Sequence, residues 1–205
     1  MSTQISIVYA FIICLFASLT QYAAAADNPV VVFKTTMGDI HIETLPTKAP
    51  ISVKNFLDYV DAGFYKEVVF HRVIPGFMIQ GGGFDTSMNK KPVNKSITNE
   101  STNGLKNDRG TLSMARTNDP DSATSQFFIN LVDNASLDSS GARAGYAVFA
   151  KVIQGMDIVD AIGQTRTTRR GQYSDVPATP VIIESAARLP IAAKSETLEG
   201  RENSL

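Results

Sequence analysis

The run Phe70-His71-Arg72-Val73-Ile74-Pro75-Gly76-Phe77-Met78-Ile79-Gln80-Gly81-Gly82-Gly83 gathers the residues best suited to chemistry in this chain. Pro75-Gly76 is a dipeptide that favours a tight turn, so one strand should run into it and another out of it. Period-two alternation sorts the side chains by face: Phe70 with Arg72, Met78 with Gln80 and, further along, Gln126 with Phe128. Each face pairs a polar group with a large apolar one. Arginine stays charged at any working pH, so such a set suits hydrogen-bond donation to a bound polar group flanked by apolar walls.

Other chemistries find little support. His41 and His71 are the only histidines, too few for a His-rich metal site, and alternation turns His71 away from Arg72, toward a hydrogen-bonding role in the interior. The sole cysteine, Cys14, lies in an apolar N-terminal segment, so a chain lacking that segment has no thiol for disulfides, nucleophilic catalysis or metal binding. Ser113 and Ser125 have no nucleophile-elbow context. Gly81-Gly82-Gly83 is followed by no Lys-Ser or Lys-Thr pair and opens no helix, which points to close backbone packing instead of a phosphate loop. A net charge of -1 argues against a nucleic-acid partner.

Eight short apolar or alternating runs are strand candidates: 30–35, 40–45, 68–73, 77–81, 111–114, 126–130, 147–153 and 181–185. Helical periodicity is clear over Ile51–Val60, where Val53, Phe56, Leu57 and Val60 form a stripe and Gly63 can end the helix; a second helix is expected over Met156–Ile162, stopped by Gly163. Many short strands without long intervening helices indicate a sandwich or barrel. The polar connection Asp85–Arg109 is long enough to suggest a functional loop. Residues 1–26 carry no charged side chain, run almost continuously apolar from Ile5 to Leu19 and end in Ala23–Ala26. This predicts a signal peptide cleaved after Ala26, with an uncleaved membrane anchor as the rival reading. A domain over 27–189 and a mobile polar tail over 190–205 complete the expected organisation, for a periplasmic or secreted protein; no heptad or cysteine suggests assembly, so a monomer is expected.

Apolar walls for a ring, with donors for a backbone, are what a site for proline-containing peptide needs. In the motifs that supply them the chain resembles the cyclophilins, and specifically their periplasmic bacterial branch. The matching stretches are Phe70–Gly82, Gly110-Thr111-Leu112-Ser113-Met114-Ala115, Ser125-Gln126-Phe127-Phe128-Ile129 and Gly145-Tyr146-Ala147-Val148-Phe149-Ala150-Lys151-Val152, in family order over roughly Val30 to Leu189. The resemblance implies an all-β-dominated fold: a closed eight-stranded antiparallel β-barrel capped by two α-helices. It also implies peptidyl-prolyl cis/trans isomerisation of exported polypeptides, without cofactor or metal. Arg72 falls at the family's catalytic arginine. Phe77, Met78, Gln80, Ala115, Gln126, Phe128, Leu137 and Tyr146 fall at substrate-pocket positions, with Arg116 and Thr117 where the family contacts the peptide backbone. Two positions depart from the pattern: Ser136 stands where many members carry a large aromatic, and Tyr146 where many carry His. Loss of the aromatic at Ser136 predicts weak binding of cyclosporin, the family's cyclic-peptide inhibitor. The alternative is a module of the same fold that holds unfolded or proline-containing chains and turns over slowly or not at all.

Overall fold

Alternating apolar residues build the first hairpin, in which β1 (Val30–Thr35) returns as β2 (Gly38–Thr44). Val31 faces Ile42 and Phe33 faces Ile40 across the pair, and all four side chains are fully buried. The Thr35 hydroxyl closes the turn by donating to the Gly38 carbonyl and accepting from the Met37 N–H. The computed structural model describes residues 28–190. The expected signal segment with its cleavage site at Ala26, and the expected tail beyond Pro190, lie outside the described residues.

The remaining elements are α1 (Pro50–Asp61), β3 (Val68–Val69), β4 (Arg72–Ile74), β5 (Met78–Gly81), β6 (Thr111–Met114), β7 (Phe127–Asn130), a single 3-10 turn at Ala135–Leu137, β8 (Val148–Gln154), α2 (Met156–Gly163), β9 (Thr167–Arg170), β10 (Tyr173–Pro177) and β11 (Ile182–Arg188). Nine strands form one antiparallel sheet in the order β3-β11-β1-β2-β8-β6-β7-β5-β4, while β9 and β10 make a separate two-stranded ribbon.

Two expectations need correction. The sheet has nine strands, not eight, and it curls without closing. The expected strand 68–73 is split, its first half laddered only to β11 and its second half only to β5. Between the halves, Phe70 and His71 each give one backbone N–H, to Val181 and Gln80 respectively. The break has a local cause: Gly82 adopts φ +90° and turns the chain away after β5, so contact with β3 resumes only at the isolated Val68–Asp85 bridge. The same break undoes the expected pairing of Phe70 with Arg72 on one face, since Phe70 is buried against Phe127 whereas Arg72 is exposed.

Helix α1 lays its predicted stripe, Val53, Phe56, Leu57 and Val60, into the concave face of the sheet. There Phe56 meets Phe33, Tyr65, Phe127 and Phe149 at ring-centroid distances of 5.1–6.1 Å. Its first turn has no local side-chain cap; instead the Glu100 carboxylate accepts the Ile51 and Ser52 N–H groups and the Ser52 hydroxyl. The long 85–109 connection thus caps a helix from a distance. It also braces the site side, where the Asp138 carboxylate accepts both the backbone N–H and the side-chain amide of Asn107.

Candidate active site

Strands β4 and β5 bring Arg72 opposite Gln80 and Ile74 opposite Met78, and β7 sets Phe128 beside Gln80. These strands, the residues after β6, the 3-10 turn and the segment before β8 enclose a pocket of about 170 Å³ lined by Arg72, Phe77, Met78, Gln80, Ala115, Arg116, Phe128, Leu137 and Tyr146. Nine of the expected site residues therefore converge. Met78 and Phe128 form its buried floor, and Arg72 stands at the rim with its side chain 46% exposed.

The walls are held from behind. The Phe77 carbonyl accepts from the Leu131 N–H and the Asn134 amide, both at 2.9 Å, which fixes the start of β5. Tyr146 packs edge-on to Phe128, with centroids 5.5 Å apart, and its N–H donates to the Leu137 carbonyl at 2.9 Å. On its other side the Arg116 guanidinium lies 4.6 Å from the Tyr146 ring centroid and donates to the carbonyls of Ala144, Gly145 and Thr117. Arg116 is thus a buttress whose donors are engaged with the protein's own backbone.

Two expected residues lie elsewhere. Thr117 does not line the pocket: its N–H and hydroxyl both bond the Ser122 hydroxyl. Gln126 lines an adjacent groove, where its carbonyl oxygen accepts the Gln80 amide at 3.0 Å. The glycine run explains that placement. A Cβ on Gly83 would stand 2.6 Å from the Gln126 side-chain carbon, and one on Gly82 would stand 2.6 Å from the Ser125 carbonyl oxygen. Ser136 is exposed next to Leu137, outside the pocket lining.

His71 is buried beneath Phe84, with centroids 4.5 Å apart. Burial pulls its pKa down to about 4, against a hydrogen bond with the Val69 backbone that raises it; the neighbouring Arg72 charge lowers it further. Its Nδ1 has no partner among the described residues, so the expected hydrogen-bonding role is met only in part. Neutral at pH 7 and away from the pocket lining, it does not act on a bound ring.

The β9–β10 ribbon is a site element that the sequence reading missed. Asp175, with φ +60°, places its carboxylate 3.9 Å from Arg72 Nε, and Tyr173 packs edge-on to Phe84. The available signal was the turn glycine Gly171, at φ +58° between β9 and β10, masked by the polarity of an exposed ribbon.

Residues 30–188 match the family model for cyclophilin type peptidyl-prolyl cis-trans isomerase/CLD. The chain is 57% identical over 159 residues to peptidyl-prolyl cis-trans isomerase B of Escherichia coli, covering 76% of this chain and 97% of that one. It is 52% identical over 172 residues to peptidyl-prolyl cis-trans isomerase A of Dickeya dadantii, covering 82% and 90%. A crystal structure of a Cryptosporidium parvum cyclophilin type peptidyl-prolyl cis-trans isomerase in the presence of the dipeptide Ala-Pro matches with a TM-score of 0.66 at 29% identity, over 78% of this chain and 99% of that one.

Proposed function

This chain belongs to the family of cyclophilin-type peptidyl-prolyl cis-trans isomerases and is an isomerase of that kind, and from that premise we propose that the pocket at Arg72 is its active site, acting on X-Pro bonds of exported polypeptides. The observation that carries the assignment is the Arg72 guanidinium at the rim of a small pocket floored by Met78 and Phe128, the second lining guanidinium, that of Arg116, being engaged with backbone carbonyls. At about 170 Å³ the pocket falls below the roughly 300–1,000 Å³ of typical small-molecule sites and suits a single ring. The match to a protein crystallised with Ala-Pro supports proline-containing peptide as the ligand class.

The barrier to rotation, about 18–20 kcal/mol, comes from partial double-bond character of the amide. In the twisted state conjugation is lost and the proline nitrogen becomes pyramidal, gaining a lone pair to which an Arg72 N–H donates in this reading. That hydrogen bond is absent from the planar ground state, so it lowers the barrier instead of merely tightening binding. Reaching milliseconds from tens of seconds takes about 10⁴-fold, or about 5.4 kcal/mol, whereas one charged hydrogen bond contributes about 1.5–3 kcal/mol. The remainder falls to the walls: Phe77, Met78, Phe128 and Leu137 seat the ring, while Gln80 and the backbone near Ala115 hold the flanking chain. No step transfers a proton or forms a covalent bond to the enzyme.

The export assignment is supported by the uncharged, largely apolar residues 1–26 and their alanine-rich end. Exposed Ser136 beside Leu137, with no aromatic to extend the rim, supports weak binding of cyclosporin. The decisive experiment compares cis-to-trans conversion of an Ala-Pro peptide by the wild type and by Arg72→Ala. The variant should lose about 100-fold or more in kcat/KM with an unchanged denaturation midpoint; an unchanged rate would remove Arg72 from the mechanism.

A further inference from the structure

Beside the proline pocket, and sharing Arg72 and Gln80 with it, lies a more open groove of about 460 Å³. Its other walls include Phe84, Lys90 and Gln126 from one side and Tyr173 and Ser174 of the β9–β10 ribbon from the other. The walls are pre-formed. The Asp85 carboxylate accepts the N–H groups of Ser87 and Asn89, and the tight turn this closes returns Lys90 to bridge Phe84. Tyr173 packs on Phe84 at a centroid distance of 5.0 Å, and Gln126 is held by Gln80.

The charges around this groove are unbalanced. Arg72 and Lys90 line it, and among the described residues no carboxylate does. Arg170 lies directly across the ribbon from Tyr173, and side chains of such partners share a face, which adds a third cation on that side. The neighbouring carboxylates are Asp85, engaged with its own turn, and Asp175, which offsets the charge of Arg72, so the positive excess rests on Lys90 and Arg170. The groove also offers uncharged donors in the Ser174 and Tyr173 hydroxyls.

We propose that this groove is a second subsite of the enzyme, one that takes an acidic residue, Asp or Glu, of the substrate chain close to the proline. The proposal rests on the reading of the adjacent pocket as the proline site. An extended chain advances about 3.3 Å per residue, so a peptide whose ring fills that pocket crosses Arg72 and Gln80 into the groove within about three positions. A carboxylate arriving there meets cations and hydroxyl donors; a lysine meets like charge. At a solvent-exposed site such contrasts are modest, so discrimination should be about 5- to 10-fold.

The test is kcat/KM for Ala-Pro peptides carrying Glu, Gln or Lys, scanned through three positions on each side of the proline, with the wild type, Lys90→Glu and, as a second exposed-site variant, Arg170→Glu. Glu should exceed Lys by about 5- to 10-fold at one or two positions on one side, the ratio should fall or invert in both variants, and 1 M salt should compress it toward one. Equal turnover of all wild-type peptides, or a ratio unaltered in both variants, would overturn the acidic subsite while leaving the active site in place. Absence of turnover with any peptide would overturn the active-site reading itself, and the subsite with it.

Discussion

The two flanks of the curled sheet are built to different standards. On one, β1, β2, β8 and β11 run six or seven residues each and lie side by side, with one register shift in each of the β1–β11 and β2–β8 pairs, and enclose the aromatic core. On the other, β3, β4 and β5 run two, three and four residues and are interrupted by glycine and by the seam, the break at Phe70-His71 between β3 and β4. Among the described residues the three non-glycine positions with positive φ all belong to the second flank: Glu67 leads into β3, Met88 lies in the turn that carries Lys90, and Asp175 faces Arg72. Such conformations cost about 1–3 kcal/mol each and persist only where surrounding structure enforces them. One flank supplies stability through regular burial, and the other spends part of it on holding a guanidinium and its neighbours in place.

The contrast can be broken at its strong side first. Phe56→Ala empties the centre of the aromatic cluster and should cost about 3–5 kcal/mol in chemical denaturation, while kcat/KM per folded molecule stays within about twofold; a large loss of turnover in a folded variant would show that the two flanks are not separable. A probe of the weak side is His71. Its pKa is lowered from 6.5 to about 4 on folding, so the unfolded chain binds the extra proton between those values. Stability tied to the neutral ring is therefore fully present above about pH 6.5 and is lost as pH falls through 4, in total about 3 kcal/mol. His71→Gln should flatten that decline relative to wild type in denaturation midpoints taken from pH 7 to 4; parallel curves would sink the assignment. The smallest effect is expected at the rim, where Ser136→Trp should tighten cyclosporin binding about tenfold by restoring an aromatic wall and an N–H donor. Unchanged affinity in a titration would mean that the rim does not decide inhibitor binding.

What the chain discloses before folding follows the same division. The regular flank was readable in outline, because the apolar run 30–35 and the helical stripe through Val53, Phe56, Leu57 and Val60 report burial directly, although β11 runs on to Arg188, past the expected end at 185. The convergence of Arg72 with Met78, Gln80 and Phe128 was also readable from alternation and motif order. The seam was not. Alternation assumes an unbroken strand, and nothing in Val68–Val73 announces that Phe70 and His71 will divide it; the cause sits at Gly82, a residue outside that run. Nor does local sequence reveal that Glu100 caps α1 or that Asp175 reaches Arg72, since both depend on segments distant in the chain. The polar connection 85–109 was expected to be functional, and its side chains do mostly structural service: Asn107 for Asp138, Glu100 for the first turn of the helix.

The divided strand at the seam also bears on the order of folding events. β1 finds β2 across a short turn and β4 finds β5 across Pro75-Gly76, whereas β3 ladders only with β11 near the far end of the domain, so the run 68–74 is clamped between one near partner and one distant one. Closing a long loop costs entropy before any contact repays it, which places this clamping late. Held at its middle by one bond to each side, the run is also a natural starting point for local opening. The β4 half that carries Arg72 can then form early with β5, while the β3 half is completed late, so the run that holds Arg72 is anchored at both ends only once β11 is in place.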